Sequence, residues 1–218
     1  GGIDFRYYKG VHTNEITDLY NGDYYTDTYY RSRVLPSRNA AAADPNWKYE
    51  KLGIGDVVYR DYDGHVLQEG AFFQAAYNKN KFSAFVAGSL SITGDWRVDR
   101  FYYDKAHEKS ETLNFLGYTI KGGANYNLND YHNVFFNVGY ISRAPFFSGG
   151  AFLQSTTSND VNPDAINEKI FSAEIGYGFK SRTFTANLNA YFTKWLDKTT
   201  TRSSDYTTPD GTLDRYIL

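Results

Sequence analysis

Four histidines, His12, His65, His107 and His132, are the obvious metal ligands of this chain, and they lie too far apart to pair at the close spacing of a zinc motif. Surface positions, or positions on the polar face of a sheet, account for them, and no metal or cofactor is assigned. Asp61, Asp63 and Gly64 begin like a calcium loop, but the acidic residue that should close it is missing, so a turn explains them better. No Gly-x-Ser-x-Gly element, phosphate loop or dinucleotide fingerprint is present. A Ser/His or Asp/His constellation assembled across strands would leave no sequence trace, so the enzyme class ranks behind binding and transport; the expectation is no catalytic residue and no enzyme. What the chain does offer for chemistry is aromatic: Tyr24, Tyr25, Tyr29, Tyr30, Trp47, Tyr49, Trp96, Tyr102 and Tyr103 crowd into connecting segments that need no core. Such rings stack on the rings of a ligand, and Trp47, Tyr49, Trp96, Tyr102 and Tyr103 are the candidate contacts. Packing of the long connections on one another is the competing explanation. Arg31, Arg33, Arg38, Arg97 and Arg100 could meet an anion through paired N–H donors, or simply pair with nearby acids.

The elements that must position these residues are strands. In "EGAFFQAAYNKNKFSAFVAGSL", residues 69 to 90, Phe73, Ala75 and Tyr77 alternate with Gln74, Ala76 and Asn78 before a polar turn, and Phe82, Ala84 and Val86 alternate on the return. Leu116 to Tyr126, Val134 to Tyr140, Phe171 to Phe179 and Phe184 to Phe192 repeat the pattern, with partial strands over 2 to 8 and 213 to 218. One face is apolar. The other is mainly Ser, Thr, Asn, Gln and Gly rather than the Lys and Glu of a sheet face turned to water. Charge gathers instead in the connections, above all between Asp95 and Glu111.

These connections alternate in length. Tight turns over 78 to 81, 127 to 132 and 180 to 182 put one end of the sheet in order, and long connections over 12 to 64, 93 to 112, 143 to 167 and 198 to 212 lie at the other. Short turns on one side and long loops on the other match an outer-membrane barrel. Tyr77, Phe82, Tyr126, Tyr131, Phe179 and Phe184 fall near the tight turns, where a ring of aromatics suits a bilayer interface. The patterns run about the 9–11 tilted residues that cross hydrocarbon. A soluble barrel or sandwich with its apolar face inward is the rival arrangement. No apolar stretch is long enough for a transmembrane helix, and a net charge of -2 gives no electrostatic case for nucleic acid. Cysteine is absent, so no disulfide framework or thiol chemistry enters. Methionine is absent too, which leads us to expect a processed chain or the interior of a longer polypeptide.

Two stretches resemble a family. "NVFFNVGYISRAPFF", Asn133 to Phe147, and "NPDAINEKIFSAEIGYGFKSRTFTANLNAYFTKWLDKTT", Asn162 to Thr200, are similar to the distal barrel of TonB-dependent outer-membrane receptors, in the style of Bacteroidota. Arg143, Ala144, Pro145 and Phe147 fit its Arg-Ala-Pro-x-Phe element; Asn162, Pro163, Asp164 and Glu168 fit its loop element, and Glu174 and Gly176 its descending strand. Ala165, Ile166 and Asn167 depart from the usual Leu-Lys-Pro. Residues 1 to 132 match in style alone, through "GGIDFRYYKG" and "DLYNGDYYTD". The resemblance implies an all-β fold: an antiparallel transmembrane β-barrel, with residues 1–218 forming part of one barrel domain and holding about eight strands of a barrel of about 22.

It also implies a Gram-negative outer membrane and active uptake of a nutrient such as a siderophore, cobalamin, glycan or peptide. The implied partners are outer-membrane lipid, the rest of the barrel with its plug, the TonB complex reached through that plug, and a surface lipoprotein. The motif residues Arg143 to Phe147 and Asn162 to Asp164 are expected to be architectural, ending strands and shaping a loop. A complete small barrel of about eight strands, acting as an adhesin or anchor, and a passive porin are the alternatives.

Overall fold

The computed structural model of the chain describes residues 1–153, 158–199, 203–207 and 213–217. Seven strands form one antiparallel sheet in sequence order: β1 (Gly2–Glu15), β2 (Val57–Lys79), β3 (Phe82–Asp99), β4 (Leu113–Asn127), β5 (His132–Arg143), β6 (Glu168–Lys180) and β7 (Thr185–Leu196). A further pair, β8 (Ser203–Thr207) and β9 (Leu213–Ile217), makes a separate two-stranded sheet. Helix is confined to α1 (Thr28–Arg31) and two short turns of 3-10 helix, Ala40–Ala43 and Trp47–Tyr49. The expected all-β antiparallel architecture is what forms. The sheet is open, with β1 and β7 each unpaired along one side among the described residues. Of the expected 198–212 connection and the terminal strand pattern, residues 200–202, 208–212 and 218 lie outside the described residues.

Three turns sit at one end. Lys79 pairs with Phe82, leaving Asn80 and Lys81 as a two-residue turn, with Asn80 at φ 53 in the left-handed region that asparagine tolerates. The β4–β5 turn is closed by Asn129, whose side-chain oxygen accepts from the amides of Tyr131 and His132 at 2.9 and 3.1 Å. In the β6–β7 turn the Ser181 amide donates to the Phe184 carbonyl at 2.8 Å, and the Phe184 amide donates back to the Ser181 hydroxyl. The connections at the other end are long: 16–56, 100–112 and 144–167.

Cross-strand register places the alternating sets on common faces. Across one face run Tyr77, Ala84, Ala124, Phe136, Ile175 and Ala190 as successive partners, and the neighbouring rows continue the apolar pattern. This face has no lid. Phe73, Leu90, Ile120, Phe136, Ile175 and Leu188 all remain exposed, and no described residue packs over them. Moving away from the turns, the positions on this face from Ala71 to Tyr77 of β2, Phe82 to Ile92 of β3, Leu116 to Tyr126 of β4, Val134 to Tyr140 of β5, Phe171 to Phe179 of β6 and Ala186 to Phe192 of β7 include no charged side chain. Lys9, Glu69, Lys169 and Lys194 mark where charge returns on that face.

The opposite face is amide-rich. Asn133 donates to Asn125 at 2.7 Å, and both Asn137 and Asn189 donate to Glu174, at 3.1 and 3.2 Å. Glycine makes room for a ring on it: a β-carbon on Gly176 would stand 2.2 Å from the Phe135 ring, which lies across that site and would have to move. The chain's buried core is therefore neither face of the sheet. It lies among the long connections.

Candidate functional site

The three long connections fold together into a cap. Connection 16–56 turns on α1, where the buried Asp27 accepts from the Tyr30 amide at 3.1 Å and caps the helix. Val34 follows, and it packs with Phe101, Tyr102 and Tyr103 of connection 100–112 into one apolar cluster joined by Tyr30, Ala42, Trp47 and Val57. Asp99 fixes that cluster to the sheet. Fully buried at the end of β3, it accepts from the amides of Phe101 and Tyr102 at 3.0 and 2.9 Å and from the Arg97 guanidinium at 2.8 Å. Arg97 in turn lies 3.7 Å from the centre of the Tyr62 ring, a cation–π contact between two buried side chains. Burial pushes the Tyr102 phenol above its ordinary range, and its hydroxyl has no hydrogen-bond partner among the described residues.

A second cluster belongs to connection 144–167. Phe152 and Ala151 pack on Phe115 of β4, with Leu113, Ala144, Phe147, Val161 and Ala165 around them. Gly150 permits this fold-back, because a β-carbon there would stand 2.3 Å from the Phe146 carbonyl oxygen and 2.8 Å from its nitrogen. Gly150→Ala is expected to cost about 1–3 kcal/mol, read as a lowered midpoint of thermal or urea unfolding. Since the obstacle is backbone, no rotamer change can relieve it.

Polar contacts then bind the connections to each other. Arg38 pairs with Asp160 at 3.0 Å and lies over the Tyr103 ring at 5.3 Å. The Asn159 amide donates to the Tyr103 hydroxyl at 2.9 Å, and its side chain donates to the Glu108 carbonyl at 2.8 Å. The Ala40 amide donates to Asp104 at 3.1 Å; the neighbouring His107 ring bonded to that carboxylate is the main reason its pKa sits below the usual range.

The five aromatic candidates separate on this geometry. Trp47, Tyr102 and Tyr103 come together as cap core, Tyr102 only 1 % exposed, so their rings face protein. Tyr49 stays exposed, with Lys48 at 5.3 Å from its ring. Trp96 belongs to β3, on the apolar face, and stacks on His65 at 4.9 Å beside Tyr7, with Lys109 at 5.8 Å. Asp61 and Asp63 lie in β2 rather than a loop, and spend their carboxylates on Arg100, at 2.7 and 2.9 Å, while Lys9 adds a third contact at 2.9 Å. Those two acids keep the guanidinium charged.

The motif residues have structural contacts. Arg143 and Glu168 are register partners and donate and accept at 2.6 Å, and the guanidinium lies within 5.2 Å of the Phe146 ring centre. Asn162 donates to the Gly150 carbonyl at 2.9 Å and accepts from the Asp164 amide at 3.0 Å, shaping the turn that carries Pro163. Ala144 and Phe147 pack in the second cluster, where Pro145 borders Gly150.

No family model, curated protein or solved structure matches this chain. Its site must be read from its own surface. At the start of connection 16–56 an open groove of about 370 Å³ is walled by Ile16, Leu19, Tyr20, Tyr24, Tyr25 and Val58. Tyr20 is 89 % exposed at its rim. The Gly22 amide donates to the Leu19 carbonyl at 2.9 Å, and the two residues between, Tyr20 and Asn21, have φ 50 and 67. Such a turn takes Asn, Asp or Gly at these places; a tyrosine there costs about 1–2 kcal/mol. Asp18 holds the turn by accepting from the Tyr20 amide at 2.8 Å. Tyr24 carries the Lys51 ammonium 4.6 Å from its ring centre, and Tyr25 is bridged to Leu52 by paired 2.8 Å backbone bonds. Burial, then the neighbouring Asp27 charge, raises the Tyr25 phenol, so it stays a protonated donor at neutral pH. Sequence reasoning could have found this turn, because Asn21-Gly22 is a turn signal, but it points one residue too far along.

Proposed function

We propose that this chain is part of the wall of an outer-membrane β-barrel, with its cap outside the cell, and that it serves a TonB-dependent receptor that takes up a nutrient. The observation that carries the membrane reading is the uncharged, exposed apolar band on one face, opposed by a face rich in Asn, Ser, Thr and Gly that also carries Lys121 and Glu174. In water such a band would be buried against something; in hydrocarbon it is the stable outer surface. Its extent along β3 and β4, about ten residues, is the length a tilted strand needs to cross. Short turns at one end and a consolidated cap at the other agree with the expected orientation. The side chains facing the opposite way would line a wet interior.

Both edges of the sheet bear on the same reading. Unpaired backbone N–H and C=O groups in hydrocarbon cost several kcal/mol each, so β1 and β7 need partner strands to complete a closed wall. The step from barrel to TonB-dependent uptake rests on the resemblance of residues 133–200, which places Arg143, Glu168 and Asn162 at strand ends and in the loop they shape. Rigid strands bearing a packed cap are a suitable scaffold for ligand capture.

The test is the intact mass of the native protein extracted from outer membranes with detergent, with peptides mapped to these residues. A mass several times 24.9 kDa, with peptides of a plug, is the expected result. A mass near 24.9 kDa would replace the receptor by a small anchor or adhesin, and recovery in the aqueous fraction would overturn the membrane assignment itself.

A further inference from the structure

We infer that the Tyr20–Tyr24–Tyr25 groove is a binding site for an uncharged oligosaccharide, an assignment that rests on the outward placement of the cap. Three observations converge on it. The groove is open and walled by three tyrosines with Ile16, Leu19 and Val58 between them, a mixture of flat amphipathic rings and aliphatic surface on which a pyranose can lay its C–H face while phenol hydroxyls bond its edge. Its rim tyrosine occupies a backbone conformation that asparagine or glycine would adopt with less strain, and its exposed ring has no packing in the fold to offset that cost, which points to a role in contact with a ligand.

The third observation is charge. Segment 16–25 holds Asp18 and Asp23 and no lysine or arginine. Lys51 lies against the Tyr24 ring, 4.6 Å from its centre. An anionic ligand, whether a phosphate group, a ferric chelate rich in carboxylates or an acidic sugar, would meet the Asp18 carboxylate in the groove lining, with Asp23 close in sequence, and no lysine or arginine in that lining. A neutral polyol meets no such penalty, and finds acceptors in Asp18 and donors in the phenols.

The experiment is titration calorimetry of the intact protein in detergent micelles with maltohexaose, cellohexaose, xylohexaose and mannohexaose, and with hexagalacturonate as the acidic comparison. At least one neutral hexasaccharide is expected to bind saturably, with hexagalacturonate at least tenfold weaker. Tyr20→Gly and Tyr24→Ala should each weaken binding tenfold or more. Tyr20→Gly should keep or raise the unfolding midpoint, which separates lost contact from lost fold. Equal binding of the acidic sugar, unchanged affinity in both variants, or no binding by any of the four neutral sugars overturns the assignment. Detergent-phase partitioning of the same sample is measured alongside: a protein that partitions but binds no sugar removes this inference and leaves the membrane reading, whereas one that stays in the aqueous phase removes both.

Discussion

Ile120→Arg is expected to lower stability in lipid vesicles by about 2–4 kcal/mol, whereas Gln74→Arg should change it by less than about 0.5 kcal/mol. Ile120 is exposed near the middle of the uncharged band, between Gly88 and Tyr140 in the register. Gln74 is exposed too, but faces the amide side. Exposure therefore does not distinguish the two sites; only the solvent does. An arginine in hydrocarbon must keep its charge dehydrated or deform the bilayer around it, while on a wet face it is hydrated at no cost. Urea unfolding of both variants in vesicles measures the contrast. Two small and equal effects would mean water on both faces, and the proposed barrel would fall.

Asp99→Ala should open the cap, at a cost of about 3–5 kcal/mol. The substitution removes the carboxylate that accepts from Arg97 and from two amides, and leaves a guanidinium 3 % exposed without that counter-charge. Asp99→Asn keeps an oxygen for the Phe101 and Tyr102 amides, so it should cost less than the alanine. Native-state hydrogen exchange of those two amides reports the change, with the β4–β5 ladder near the turns as the internal control. Unaltered protection in the alanine variant would show that the tyrosine cluster holds without its anchor. The effect exceeds that expected for the exposed Arg38–Asp160 pair, where solvent screening limits the loss to about 1 kcal/mol or less.

How much of this was legible before the fold follows from what side-chain alternation reports. Tyr118, Ile120 and Ala124 alternate cleanly with Thr119 and Lys121, and their strand lies where the pattern puts it. Where strands run beyond the apolar band the alternation loses its contrast. Asp61, Asp63 and Gly64 read as a turn, yet they lie in β2 and pair with Thr13, Val11 and Gly10 of β1; Asp95, Arg97 and Asp99 read as the beginning of a loop, yet they are the buried face of β3. Charge signals a loop only when water solvates it; here Arg100 meets Asp61 and Asp63, and Arg97 with two cap amides meets Asp99, in place of water. The aromatics were ambiguous for a related reason. A tyrosine in a connection has the same sequence signature whether it packs inward, as Tyr102 does, or outward, as Tyr20 does, because the choice is made by chain segments far away. The expected 12–64 connection shortened to 16–56 by the same long-range pairing, with a register shift between Thr13 and Glu15 as the strand ends.

The length of β2 has a mechanical meaning. It runs 23 residues, and charge returns to its apolar face at Glu69, so about a dozen residues, roughly 40 Å measured along the strand, continue beyond the apolar band. β3 accompanies it to Asp99, held rung by rung. The cap is thus carried on a stiff stalk rather than a tether, and its height is set by backbone geometry. A sugar chain caught there would be held at a fixed reach above the lipid headgroups, and a pull on it would be borne by the hydrogen-bonded ladder rather than absorbed by slack in a loop.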